Sequence, residues 1–222
     1  MSKTTIPSGG LSGGLPSSLT VGSATAEDTK VVFDGNAQDY HIGLDDSADD
    51  LVIGKGSALG TTAHIVTDEN GHVTKPLQTA FLALNDGGDS ITNATTTTIA
   101  LDTEIFDVNG DVSSNTFTAP VTGKYYLQGM VCLDAGSSAN TRFNRMFMQI
   151  VASNRTALYE SGQMYSNEDD IMGVNGSIVM DMDANDTAIL RVFASRNGAS
   201  GATETEGNSS DPRCFFSGYL LG

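Results

Sequence analysis

From Lys30 onward the apolar residues of this chain come in pulses of three to five, separated by Asp, Gly, Asn and Ser, and this spacing constrains the fold more than any other feature. Val31-Val32-Phe33, Tyr40-His41-Ile42-Gly43-Leu44, Leu51-Val52-Ile53-Gly54 and His64-Ile65-Val66, with Val73 behind them, recur at intervals close to ten residues. An amphipathic helix needs a sustained 3.6-residue periodicity that none of these pulses provides. A short strand followed by a tight turn needs no more than this. The 25 glycines, the lack of Trp and the abundance of Ser, Thr, Asn and Asp point the same way. The chain reads as all-β.

Charge narrows the partners. Twenty-seven Asp and Glu against eleven Lys and Arg give a formal charge of −16, which repels nucleic acid and anionic lipid alike. No stretch approaches the roughly eighteen apolar residues of a membrane span. Met1-Ser2-Lys3-Thr4 leads into Gly, Ser and Pro rather than an apolar leader, and Cys132 and Cys214 are too few for a disulfide framework. The expected place of synthesis is a reducing cytoplasm, with free thiols.

Three segments follow from the texture. Residues 1–29 form a Gly/Ser-rich arm whose apolar anchors include Leu11, Leu15 and Leu19; so little apolar surface does not fold alone, and a docking role for these leucines is expected. Residues 30–76 form a short-strand stem. It carries two Ile-Gly pairs, Ile42-Gly43 and Ile53-Gly54, readable as a weak internal repeat, and an Asn70-Gly71 hairpin signal of type I′. So thin a stem lacks material for a core of its own, so identical chains are expected to supply the missing face. Lys75-Pro76 marks the boundary.

Residues 77–222 form the head. Ten candidate strands are expected at 79–84, 98–102, 105–108, 116–119, 124–133, 143–151, 157–161, 176–182, 187–194 and 214–221, which predicts a two-sheet sandwich. Alternation places Tyr125, Leu127 and Val131 on one face and Tyr126, Gln128, Met130 and Cys132 on the other. Phe216, Gly218 and Leu220 likewise oppose Phe215, Tyr219 and Leu221. Both strands are apolar on two faces, more than a sandwich with one wet side requires.

The run Asn115 to Leu127, with Phe117, Ala119-Pro120 and Gly123-Lys124-Tyr125-Tyr126-Leu127, resembles the central signature of C1q and tumour-necrosis-factor-like jelly rolls. Thr79 to Ala83, Asp186 to Val192 and Cys214 to Leu221 are similar to the opening, late and closing strands of that family, in the right order. The resemblance implies a ten-stranded jelly roll that trimerises about a threefold axis behind an extended stalk. With that symmetry, Tyr126, Met130, Phe215 and Tyr219 are expected near the axis. No collagen repeat precedes the head. Instead, Asp45 to Gly54 looks like the short-strand fibre pieces of bacteriophage structural proteins.

Other motifs carry less. Gly10-Leu11-Ser12-Gly13-Gly14 has the pattern of a nucleophile elbow without the strand and helix that an elbow needs. Gly54 to Gly60 misses a dinucleotide loop by one residue. Asp181, Asp183, Asn185 and Asp186 begin like a calcium loop, but Asp186 stands where Gly is wanted and Val192 where the bidentate acid is wanted. Asp45, Asp46, Asp49 and Asp50, or Asp86 with Asp89, leave calcium open without a specific motif; as solvated turn acids they guard strand edges. No cofactor is expected. Without Trp, a sugar-cleaving carboxylate pair lacks its usual stacking wall, and the chain reads as a non-enzyme.

The expectation is therefore a homotrimeric phage virion protein, a tail fibre or capsid decoration assembled in the host cytoplasm. Its arm would bind other virion proteins and its head would project. The alternative is a module chiefly recognising a host receptor or glycan, with a glycan-degrading enzyme behind it. The loops after Leu133 and after Ala194 are the expected variable surfaces.

Overall fold

The computed structural model describes residues 20–136, 142–161, 171–197 and 203–221. Leu11, Leu15, Leu19 and Ser12 lie outside them, as do the centres of the two loops expected to vary. The chain forms two compact units, one ending at Leu77 and one beginning at Gln78.

In the first unit the apolar pulses are strands. β1 (Thr29–Phe33), β2 (Tyr40–Asp45), β3 (Asp50–Lys55), β4 (Ala63–Thr67) and β5 (Val73–Thr74) pair antiparallel in sequence order, a five-stranded meander. The register sorts the side chains into two faces. One face carries the rows Phe33–Tyr40–Lys55, Val31–Ile42–Ile53–Ile65 and Thr29–Leu44–Leu51–Thr67–Val73. The other carries Val32–His41–Gly54 and Lys30–Gly43–Val52–Val66. His41 and Val52, the buried side chains among the described residues of the unit, are on this second face. The His41 ring packs against Gly54, where a Cβ would stand 2.7 Å from it, and its Nδ1 is bonded to the carbonyl of Gly56 at 2.9 Å. The two Ile-Gly pairs are the two arms of one hairpin, with Ile42 opposite Ile53, rather than copies of a module.

The Asn-Gly turn differs from expectation. Gly71 has φ +85°, but Asn70 does not take the positive φ that type I′ demands. Asp68 governs the geometry instead. Its Oδ1 accepts the N–H of Asn70 and of His72, and its carbonyl accepts the N–H of Gly71 at 2.9 Å. An Asx-capped turn followed by a left-handed glycine results.

The second unit is a two-sheet sandwich. Its first sheet contains β6 (Ala80–Leu84), β7 (Ser90–Ile91), β9 (Thr103–Asp107), β12 (Gly123–Asp134), β15 (Ile171–Met182), β17 (Thr203–Thr205) and β18 (Phe215–Leu220). The order is β7-β17-β12-β18-β6-β9, with β15 on the free side of β12. The second sheet contains β8 (Thr95–Thr98), β10 (Val112–Ser113), β11 (Thr116–Thr118), β13 (Arg142–Ala152), β14 (Thr156–Glu160) and β16 (Thr187–Asn197), in the order β10-β11-β16-β13-β14 with β8 also on β16. From β12 onward the chain passes to the other sheet for β13 and β14, returns for β15, crosses for β16 and returns for β17 and β18. Neighbours in each sheet therefore come from distant sequence, which is jelly-roll topology.

The core lies between the sheets. Tyr125, Leu127, Val131 and Leu133 of β12 meet Met146, Met148 and Ile150 of β13 and Leu190 and Val192 of β16, all essentially without solvent contact. Phe81, Phe117, Tyr125 and Phe216 form an aromatic cluster, Phe81 stacking on Phe117 at 4.8 Å and meeting Phe216 edge-on at 5.2 Å. The Tyr125 hydroxyl donates to the carbonyl of Val121 at 2.7 Å, so the deepest polar atom of the cluster is satisfied.

One expected strand is displaced: pairing runs over Thr95–Thr98, not 98–102. β7, β10 and β17, of two or three residues each, were not expected. β15 begins five residues earlier than its alternation suggested.

Candidate functional site

The outer face of the first sheet gathers the residues that sequence alternation set apart. Tyr126 stands opposite Tyr219, and Met130 opposite Phe215, along the β12–β18 ladder. The two tyrosine rings are 5.2 Å apart and tilted by 34°. Val179 on β15 extends the tyrosine row and is 49% exposed; Tyr219 is 45% exposed. Leu82 and Phe106, paired across β6 and β9, continue the apolar surface, with Phe106 48% exposed. A polar row, Ser177–Gln128–Ser217, runs between the tyrosine and the Met130–Phe215 rows. The Tyr126 hydroxyl donates to Gln128 Oε1 at 3.4 Å. All four expected axis residues thus share one amphipathic, aromatic surface, bordered on the same face by the Lys124–Asp181 row, and its aromatic composition is one that interface cores favour. Val179 and Phe106 were missed because β15 and β9 alternate with polar or acidic residues, and Leu82 because β6 is apolar throughout and shows no period.

The second sheet's outer face has a different chemistry, which the sequence reading did not isolate. Phe147 and Phe193 stack across β13 and β16 with centroids 4.8 Å apart and planes within 4°. The Arg145 guanidinium lies over Phe147 at 4.9 Å and pairs with Glu160, Nε donating at 3.0 Å. One row along, Arg191 stands between Gln149 and Thr98, and none of the described ion pairs involves it. The alternation Ile189, Arg191, Phe193 against Leu190, Val192, Ala194 held this signal.

Several of the acids that suggested calcium accept hydrogen bonds from local backbone and side-chain donors. Asp45 Oδ1 accepts Ser47 N–H and Oγ–H, the latter at 2.7 Å. Asp89 accepts from Asn85 Nδ2 at 2.7 Å, and Asp86 from Thr103 Oγ1 at 2.9 Å. Asp186 closes the turn after β15 by accepting the N–H of Asp183 at 3.0 Å, with Asn185 at φ 73°. Among the described residues no three His, Cys, Asp or Glu side chains converge on a metal position. A cleft of about 370 Å³ near this turn is lined by Thr122, Lys124, Asn154, Asp181 and Asp183. Its main acid is engaged, since Arg155 pairs with Asp181 at 2.6 Å.

Cys132 and Cys214 are free and buried. The Cys214 thiol donates to the Cys132 carbonyl at 3.2 Å, and burial pushes that thiol up to about 11. Burial also raises Cys132. Neither is a ready nucleophile at neutral pH.

Neither the family models nor the curated proteins contain a match to this sequence. Among solved structures, the globular domain of zebrafish complement 1qA protein aligns over 65% of this chain and 98% of its own, at 16% identity and a TM-score of 0.47. Murine APRIL at pH 5.0 aligns over 65% and 99%, at 10% identity and a TM-score of 0.45. Both neighbours are jelly-roll domains of the C1q and TNF kind. The jelly-roll assignment here rests on the strand pairing itself.

Proposed function

We propose that this chain is a non-enzymatic structural protein that self-associates as a homotrimer through the outer face of the β12–β18 sheet. The observation that carries the reading is the Tyr126–Tyr219 pair with Met130 and Phe215 beside it, an aromatic surface left over after the core is full. Buried tyrosines at such a surface keep an apolar body and a polar tip, which suits a partly wet interface. The particle assignment, a bacteriophage fibre or decoration docked through Leu11, Leu15 and Leu19, draws on the likeness of Asp45 to Gly54 to phage fibre pieces. Imaging intact particles tests it directly.

Self-association is tested by solution mass. The full chain should run near three times 23.1 kDa. Tyr126→Lys with Tyr219→Lys should shift it toward the single-chain mass at micromolar concentration, each substitution costing about 2 kcal/mol or more if it falls at the interface centre. A wild-type chain that stays single across that range defeats the proposal.

The Arg191–Phe193 surface favours a second role, adhesion to a carboxylated host glycan. A guanidinium that none of the ion pairs among the described residues engages offers a bidentate fork for a carboxylate in an otherwise acidic protein. Threefold display would multiply weak contacts. Binding to uronate-bearing glycans that weakens at least tenfold in Arg191→Ala, with the oligomer intact, supports this role; equal binding by the variant removes it.

A further inference from the structure

The five-stranded meander presents one apolar face that the described residues of its own unit leave largely open; Thr20 to Glu27 line a cleft with Thr29 and Leu44 only at its edge. Its middle row, Val31–Ile42–Ile53–Ile65, is wholly aliphatic, and the flanking rows add Phe33 at 61% exposure and Val73 at 62%. Among the described residues, most of the covering goes to the opposite side. The loop between β3 and β4 brings Leu59 against Gly43, where a Cβ would stand 3.0 Å from Leu59 Cδ2, and both buried side chains, His41 and Val52, are on that side. A sheet that buries side chains on one face and leaves an open apolar row on the other is half of a two-layer structure.

We infer that this open face is covered by the same face of other copies of the chain, making the meander a second self-association surface separate from the head. It deepens the self-association reading above by naming a surface that the head does not supply. Three features select this occupant. The apolar side chain exposed is on the order of 600 Å² per copy, close to the ~800 Å² per partner of a standard specific interface. Of the residues in the three rows only Lys55 is charged, while the acids of the unit lie in turns or at strand ends, as at Asp34, Asp39, Asp46 and Asp49, or on the other face. Two such faces can therefore meet without opposing carboxylates, although the whole chain carries a charge of −16. The face also matches itself: its aliphatic middle row can pack on its counterpart, with the polar groups of Thr29, Thr67, Tyr40 and Lys55 confined to the flanking rows.

The test uses the full chain with Ile53→Cys on the open face, or Lys30→Cys on the opposite one, treated with a short bis-maleimide. The native thiols are buried, so the new cysteine carries the reaction. Ile53→Cys should give covalent multimers at micromolar concentration and Lys30→Cys should not. The same crosslink should persist when Tyr126→Lys and Tyr219→Lys weaken the head surface, which separates this inference from the head reading. Val31→Lys with Ile53→Lys should reduce the oligomer's dilution stability by tenfold or more. Multimers that form without crosslinking at Ile53→Cys would overturn the inference and leave association to the head alone. A monomer whose Ile53→Cys thiol resists a monofunctional maleimide would also overturn it, because residues 1–19 would then be the cover. A monomer that alkylates freely would overturn both readings.

Discussion

At the scale of single residues, Asp111 shows how the head tolerates a cost near its core. Burial raises its carboxyl above the ordinary carboxylate value; the Thr79 hydroxyl opposes the rise and the Asp107 charge adds to it. Asp107 is itself committed, accepting the N–H of Asp111 at 3.0 Å and of Val112 at 2.8 Å, and Asp111 Oδ2 has no hydrogen-bond partner. A carboxyl with a raised value in the folded state binds its proton more tightly folded than unfolded. Its contribution is therefore full below the unfolded value of 3.8 and is lost as pH rises through the folded value. Asp111→Asn should raise Tm at pH 7, and the gain should shrink toward about pH 3, where the native residue is also neutral. Parallel melting curves of the two chains check this. A gain that is constant with pH would mean that shape rather than charge is responsible.

At the scale of elements, β18 matters out of proportion to its length. It is the last described strand, yet it lies inside its sheet between β12 and β6. Its Phe216 is fully buried and completes the aromatic cluster with Phe81. Loss of a buried Phe alone costs about 3–5 kcal/mol, against a typical domain stability of about 5–15 kcal/mol. Ending the chain at Cys214 also strips ladder partners from both neighbours, so it should give insoluble protein with no cooperative melting transition. A soluble, cooperatively melting truncation would show that the head does not need β18. This strand, with β12, was legible because Phe215-Phe216 and Tyr125-Tyr126 put large apolar groups on both sides of a period-two pattern. β8 was misplaced for the opposite reason. Thr95 to Thr98 alternate no apolar groups, whereas Ile99 and Leu101 drew the expected strand past the end of the ladder, where Ile99 N–H makes one last bond to the Leu190 carbonyl and Leu101 N–H turns to Asn115. The two- and three-residue strands carry too few residues to show any period. The turn at Asn70-Gly71 was misread because the dipeptide was weighed without Asp68, whose side chain captures the backbone first.

At the scale of the whole molecule, the sequence disclosed the two surfaces unequally. Alternation identified Tyr126, Met130, Phe215 and Tyr219, and the register brings them together. For the stem, a shortage of core and a covering by identical chains were expected, but not which residues form the open face, because strand pairing, not spacing, decides that Phe33 and Tyr40 fall in one row and Ile42 and Ile53 in the next. Charge divides the same way. The net acidity is carried largely by turns, so it limits nonspecific association without opposing contact between the apolar faces. The Phe147–Phe193 surface escaped because an arginine in a strand reads as a solvated position until its neighbours are known.

The meander joins only strands adjacent in sequence, whereas the sandwich must bring β6 to β18 and β11 to β16. Closing short loops is faster than closing long ones, so the meander is the part able to order first. Copies joined there would hold unfinished heads at high effective concentration, and the slower sandwiches would then mature side by side rather than search for one another in dilute solution.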